Sequence, residues 1–158
     1  EELSIDMIKK FHYILKDGTL TESEKSWFNV GEFKKLKNYV GNIETSLPDN
    51  VSSDMEDLLL WYHNLTNITL EDIIEFHVRF LEIHPFQDGN GRVGRMIMFK
   101  ECLHNDIIPF YIEDRNKAFY ARGLKEYQTK NYKGYLIDTC LNSQDNYTEM
   151  AKYFLEEN

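Results

Sequence analysis

Apolar residues recur at helical spacing along most of the chain. Over residues 4–16, Ile5, Ile8, Phe11, Ile14 and Leu15 form one stripe, with Ser4 or Asp6 as its cap and Gly18 as its stop. Residues 53–56, Ser-Asp-Met-Glu, read as a capping box that opens a second helix through Met55, Leu58, Leu59 and Trp61 to about His63. Residues 69–72 open a third, whose Ile73, Ile74, Phe76, His77, Phe80 and Leu81 give a broad apolar face ending at the corner Ile83, His84, Pro85. A fourth carries Met96, Ile97, Phe99, Cys102 and Leu103 and reads as almost wholly buried. After an apolar connector at 107–112, residues 115–128 form a fifth, with Phe119, Tyr120, Leu124 and Tyr127 towards one side. Residues 132–142 and 145–157 read as two further helices.

Residues 17–50 break this period. Gly18, Gly31, Gly41 and Pro48 mark an irregular connection with at most one short helix. Within it, residues 39–46 have the aromatic and β-branched content of a short hairpin. No repeat, low-complexity tract or linker divides the chain, so residues 1–158 read as one all-α domain with a small hairpin.

Composition narrows the partners. Eighteen basic against 27 acidic residues give a net charge of −9, a balance that disfavours nucleic acid and anionic lipid. No run of apolar residues approaches a membrane span and no signal peptide is visible, which points to a cytoplasmic protein. The two cysteines, Cys102 and Cys140, sit among apolar neighbours and read as buried free thiols. Because the chain begins at Glu1 instead of Met, a natural N-terminal segment is expected to be missing. His12, His63, His77 and His104 lack the spacing of metal ligands and read as helix-face or boundary residues.

With so acidic a surface, any anion site must be local, and residues 84–95 supply one: His-Pro-Phe-Gln-Asp-Gly-Asn-Gly-Arg-Val-Gly-Arg. Gly89, Asn90 and Gly91 can take left-handed turn conformations, so that successive N–H groups point into one anion-binding concavity. Arg92 reads as the opening of a helix, whose N-terminus adds positive charge, and Arg92 and Arg95 share a face that offers two guanidinium forks to phosphate. Asp88 is a hard oxygen ligand where a Mg2+ bridging phosphates would sit. His84, at a helix-to-loop corner, can take a proton from an attacking hydroxyl near neutral pH.

This stretch resembles the motif of the Fic family, His-Pro-Phe-x-(Asp/Glu)-Gly-Asn-Gly-Arg-x-x-Arg, and agrees with it at every specified position. The resemblance implies a Fic-fold helical domain and transfer of AMP from ATP to a Tyr, Thr or Ser hydroxyl of a target protein. It implies His84 as general base, Asp88 as Mg2+ ligand and Phe86 as a core anchor. Gly89, Asn90 and Gly91 would form the anion nest, and Arg92 and Arg95 would hold the phosphates. It places a target-binding flap at the hairpin, with Asn42, Ile43, Glu44 and Thr45 presenting backbone for strand addition. It also offers Tyr120 as the ring that stacks on adenine, against its plainer reading as a core tyrosine with a tethered hydroxyl. Residues 134–147 are similar to the C-terminal part of a bacterial subgroup, so the cytoplasm expected is a bacterial one.

Other outcomes stay open at this point. Relatives with a lysine at the second motif glycine transfer the γ-phosphoryl group, and Gly91 here favours the AMP-transferring orientation. Other Fic-like proteins use another donor or remove AMP, and a catalytically silent nucleotide-binding module would have no need of His84. Many family members carry an inhibitory helix, Ser/Thr-x-x-x-Glu-Gly/Asn. The nearest match, Ser52 to Glu56, continues with Asp57. An inhibitory segment is therefore expected upstream of Glu1, on a separate chain, or not at all. The target and the oligomeric state carry no signal in the sequence.

Overall fold

The first helix forms where the spacing predicts it, because Ser4 closes its open end: the Met7 N–H donates to Ser4 Oγ at 3.2 Å. The computed structural model describes residues 1–156 apart from 22, 25, 26 and 42. Among these, six α-helices and one two-stranded ribbon follow in order: α1 Ile5–Lys16, β1 Tyr39–Val40, β2 Ile43–Glu44, α2 Val51–His63, α3 Leu70–Ile83, α4 Asn90–His104, α5 Lys117–Lys130 and α6 Gly134–Glu156. The all-α expectation holds, and the hairpin is real, antiparallel with Tyr39 opposite Glu44 and Val40 opposite Ile43. No described helix is long and apolar enough to cross a membrane.

Helix α4 is the axis of the fold, packed between α3 and α1, while α2 and α5 pack on α3 and α6 lies along α5. The α3–α4 contact is close because Gly94 has no side chain. A Cβ there would stand 2.7 Å from His77 Nδ1 and 3.3 Å from Phe80 Cδ1, so only glycine fits. Gly123 does the same for α5, where a Cβ would meet the Leu136 backbone at 2.8 Å. Thr69 and Asp72 form a complete capping box that fixes the start of α3. Both cysteines are buried and free.

Four local expectations need correction. Helix α2 begins at Val51 and not at Ser53, because a 3₁₀ turn over Pro48–Asn50 runs straight into it. Ser53 lies inside the helix, and its hydroxyl donates back to the Asn50 carbonyl at 2.9 Å. The two C-terminal helices are one. The polar stretch 142–145 runs on inside one helix, where the Ser143 hydroxyl, like those of Thr139 and Thr148, donates to the carbonyl four residues earlier and so does not compete for the helix's own N–H groups. Helix α4 is not wholly buried, since its apolar residues surround it and its neighbours cover only part of it. Val93, Ile97, Met98 and Cys102 are buried, whereas Leu103 is 58% exposed. On α5, Phe119 faces out while Tyr120 is in the core.

Candidate active site

Helix α3 ends in a left-handed turn at His84, with φ 52° and ψ 59°, because the following Pro85 disfavours the right-handed helical region. The His84 N–H still donates to the Phe80 carbonyl at 2.9 Å, so the corner is part of the helix end. The ring is oriented by its own helix: Nδ1 lies 3.2 Å from the Leu81 carbonyl, which can only accept. The proton is therefore on Nδ1, and Nε2 carries the lone pair. Burial holds the His84 pKa below the ordinary 6.5; the Leu81 carbonyl opposes this, the Lys34 ammonium reinforces it and Asp88 opposes it. The imidazole is neutral at pH 7, as a base must be.

The loop that follows is closed by side chains. Asn90 is 1% exposed, and its amide clasps the Phe86 backbone, accepting the Phe86 N–H at 2.8 Å and donating to the Phe86 carbonyl at 2.7 Å. Of the three positions expected to turn, only Gly89 is left-handed, at φ +88°; Asn90 and Gly91 are the first residues of α4. Arg92 is thus third in the helix and does not open it. The concavity is a helix N-terminus preceded by one left-handed glycine, a place where backbone N–H groups have no helical partner and an anion would be favoured.

His12 supports this loop from beneath, a role invisible in the sequence. Its ring stacks on Phe86 at 4.0 Å and 4° between planes. Nδ1 accepts the Gly31 N–H at 2.9 Å, so Nε2 is the donor to the Asp88 carbonyl at 3.1 Å. Burial pushes its pKa down to about 4. Its one sequence signal is a position four residues after Ile8, on the apolar face of α1.

Above His12, the Asp88 carboxylate meets Lys16 Nζ at 2.9 Å and Arg92 at 3.3 Å. The hydrogen bond from Lys16 is the largest influence holding Asp88 below the usual carboxylate range. No group of three metal-ligating side chains occurs among the described residues. Both cations meet the same oxygen, Oδ2, of this partly exposed carboxylate, and a single such carboxylate would fit a hard cation only where substrate phosphates supplied most of its ligands.

His84, Gly91 and Ile43 meet at one cavity of about 740 Å³, walled by the ribbon (Val40, Gly41), by Leu81, and by Ala121, Leu124 and Lys125 of α5. Its walls are mainly apolar with a few convergent polar groups, the usual make-up of a small-molecule site. Arg92 and Arg95 line a separate hollow of about 370 Å³ with Leu15, Met96 and Phe110. Arg95 links the two, since its guanidinium lies 3.3 Å from where a Gly91 Cβ would stand.

Two expected site residues lie elsewhere. Tyr120 is buried with its hydroxyl bonded to His77 Nε2 at 2.5 Å and does not line the cavity. It is a core tyrosine with a tethered hydroxyl, because the α5–α3 contact claims its ring. Thr45 is 8% exposed, and its hydroxyl donates to Asn38, so it belongs to the base of the ribbon and not to its open surface. Ile43 and Glu44 are exposed as expected, and Asn42 lies outside the described residues.

The family model described as Fic/DOC family matches residues 2–102. The chain is 25% identical over 128 residues to "Protein adenylyltransferase fic-1" of Caenorhabditis elegans, covering 78% of this chain and 24% of that protein. It is 34% identical over 80 residues to a "Probable protein adenylyltransferase" of Aquifex aeolicus, covering 50% of this chain and 24% of the relative. The chain thus spans about a quarter of the length of these curated relatives. Among solved structures, Fic-1 of C. elegans superposes with a TM-score of 0.79 at 19% identity, over 99% of this chain and 46% of that one. BepC of Bartonella tribocorum, a VirB-translocated effector solved with bound AMPPNP, gives 0.66 at 14%, over 89% and 73%. At these identities the structural likenesses concern the fold.

Proposed function

The chain belongs to the Fic/DOC family, and from that premise we propose that it is a protein adenylyltransferase, moving AMP from ATP to a hydroxyl side chain of a target protein. The observation that carries this reading is the His84 corner. A neutral imidazole with Nε2 unprotonated lines the same cavity as a helix N-terminus and an exposed ribbon edge. A base, an anion site and a backbone template for an acceptor are what the reaction needs in one place.

The acceptor segment lies along the flap, β1–β2, and brings its Tyr, Thr or Ser hydroxyl to His84. Nε2 takes the hydroxyl proton as the oxygen attacks the α-phosphorus. The new P–O bond forms as the bond from the α-phosphorus to the bridging oxygen breaks, and pyrophosphate departs. The free N–H groups at the start of α4, with Arg92 and Arg95, neutralise the charge that grows on the leaving group. Gly91, with no side chain, leaves room at this helix end for the AMP-transferring orientation. The apolar wall of Leu124, Ala121 and Val40 takes the adenine in place of Tyr120. Asp88 would hold Mg2+ together with the phosphates, and the cation would supply further neutralisation of their charge. No described carboxylate stands within ion-pair distance of Arg95. Glu56 is bonded to Ser52 within α2.

Incubation with ATP labelled at the α- or the γ-phosphate, in parallel, tests this reading. Protein should be labelled from the α-phosphate alone. Label from the γ-phosphate alone would make the protein a phosphoryl transferase, and label from neither would favour the silent module.

A further inference from the structure

Lys34 is a buried cation on neutral partners. The residue is 4% exposed and no described carboxylate lies within ion-pair distance of it; Asp54 of α2 is the acidic group that faces it. All three ammonium hydrogens are nonetheless used. They go to Asn38 Oδ1 at 2.7 Å, Thr45 Oγ1 at 2.7 Å and the Ile83 carbonyl at 3.2 Å. Burial without an ion pair is costly, and it pushes the Lys34 pKa down to about 8. An apolar side chain of the same length would avoid that cost, so the ammonium is kept for what it joins.

Its three acceptors come from three places. Asn38 is the residue that enters β1, Thr45 is the residue that leaves β2, and Ile83 immediately precedes His84. The Ile83 carbonyl belongs to the last turn of α3, where backbone acceptors lack helical partners and a cation is favoured. Neighbouring bonds run the same way: the Lys34 N–H donates to the Pro85 carbonyl at 2.8 Å, and Asn38 Nδ2 to the Phe86 carbonyl at 2.9 Å. The flap cannot tilt or slide over His84 without breaking bonds to one ammonium.

We propose that Lys34 is a positioning residue for the transfer, fixing the height and tilt of the flap over His84 so that an acceptor laid on it reaches the imidazole. The inference rests on the reading of His84 as the base. The ammonium also helps to keep that imidazole neutral, against Asp88 on the loop, with Lys125 of α5 on the same cavity wall.

Lys34→Met, close in length and uncharged, tests the proposal by two routes. Amide hydrogen exchange across residues 38–46 should quicken at least ten-fold while exchange in α3 is unchanged. Self-labelling from α-labelled ATP should lose at least ten-fold in maximal rate, with half-saturating ATP within two-fold of wild type. The acidic limb of its pH profile should move to higher pH. Wild-type flap exchange, an unchanged maximal rate, or a loss that appears as weaker ATP binding would each overturn the proposal. If the methionine variant is unfolded at the assay temperature, Thr45→Val removes one acceptor and should give a smaller change of the same kind; wild-type behaviour of that variant would count against Lys34. Absence of α-label from the wild-type protein would defeat the proposed function, while the exchange experiment would still decide whether Lys34 holds the flap.

Discussion

The two walls of the His84 cavity are built on opposite principles. The motif wall is packed and closed: Phe86 and Asn90 are buried, the loop backbone is clasped by Asn90, and His12 stacks beneath. The flap is two strands of two residues, with Tyr39, Val40 and Ile43 exposed and its anchoring confined to its base. Chemistry requires a base and charge-stabilising donors fixed on rigid elements, whereas a target chain requires unpaired backbone and accessible side chains. Rigidity and openness cannot occupy the same residues, so the fold puts them on facing walls and joins them at Lys34.

Breaking the closed wall should have the largest effect. Asn90→Ala orphans the N–H of buried Phe86, at roughly 1–3 kcal/mol, and leaves the Phe86 carbonyl only the bond from Asn38. Melting should drop accordingly, and α-label transfer should fall more than a hundred-fold in protein that remains folded. Acid should loosen the same wall next. His12 titrates at about 4 when folded against 6.5 in the free chain, so the unfolded state binds the extra proton first. The stability that His12 contributes is intact above pH 6.5 and is lost as pH falls towards 4, by about 1.4 kcal/mol per pH unit. Urea titrations between pH 7 and 4 would show the slope, which His12→Leu should reduce. The open wall should be nearly indifferent in stability. Ile43→Ser, at a half-exposed flap position, should change it by no more than about 0.5 kcal/mol, yet it should raise the KM for an acceptor protein several-fold.

This contrast also governs what could be read from the sequence. Local signals were legible: Ser4 and the Thr69–Asp72 box placed two helix starts, and the residues of 84–95 placed a helix-to-loop corner at His84 and a left-handed glycine before the next helix. What depended on distant contacts was not. Tyr120 has the composition of a stacking ring, but its ring went to the core because His77 offered its hydroxyl a partner. His12 is 76 residues from the carbonyl it holds, and no local pattern marks it as part of the loop. Thr45 looked like flap surface until Lys34, eleven residues earlier, claimed its hydroxyl. The polar run at 142–145 resembled a break because back-bonding hydroxyls read from sequence as helix enders.

The central claim is that His84 supplies the base while the helix N-terminus and its arginines supply binding. His84→Ala tests it when ATP affinity, by calorimetry, and α-label transfer are measured on the same folded sample. The account predicts affinity within a few-fold of wild type and transfer reduced by at least 10²–10⁴-fold. Transfer retained at the wild-type rate would contradict it.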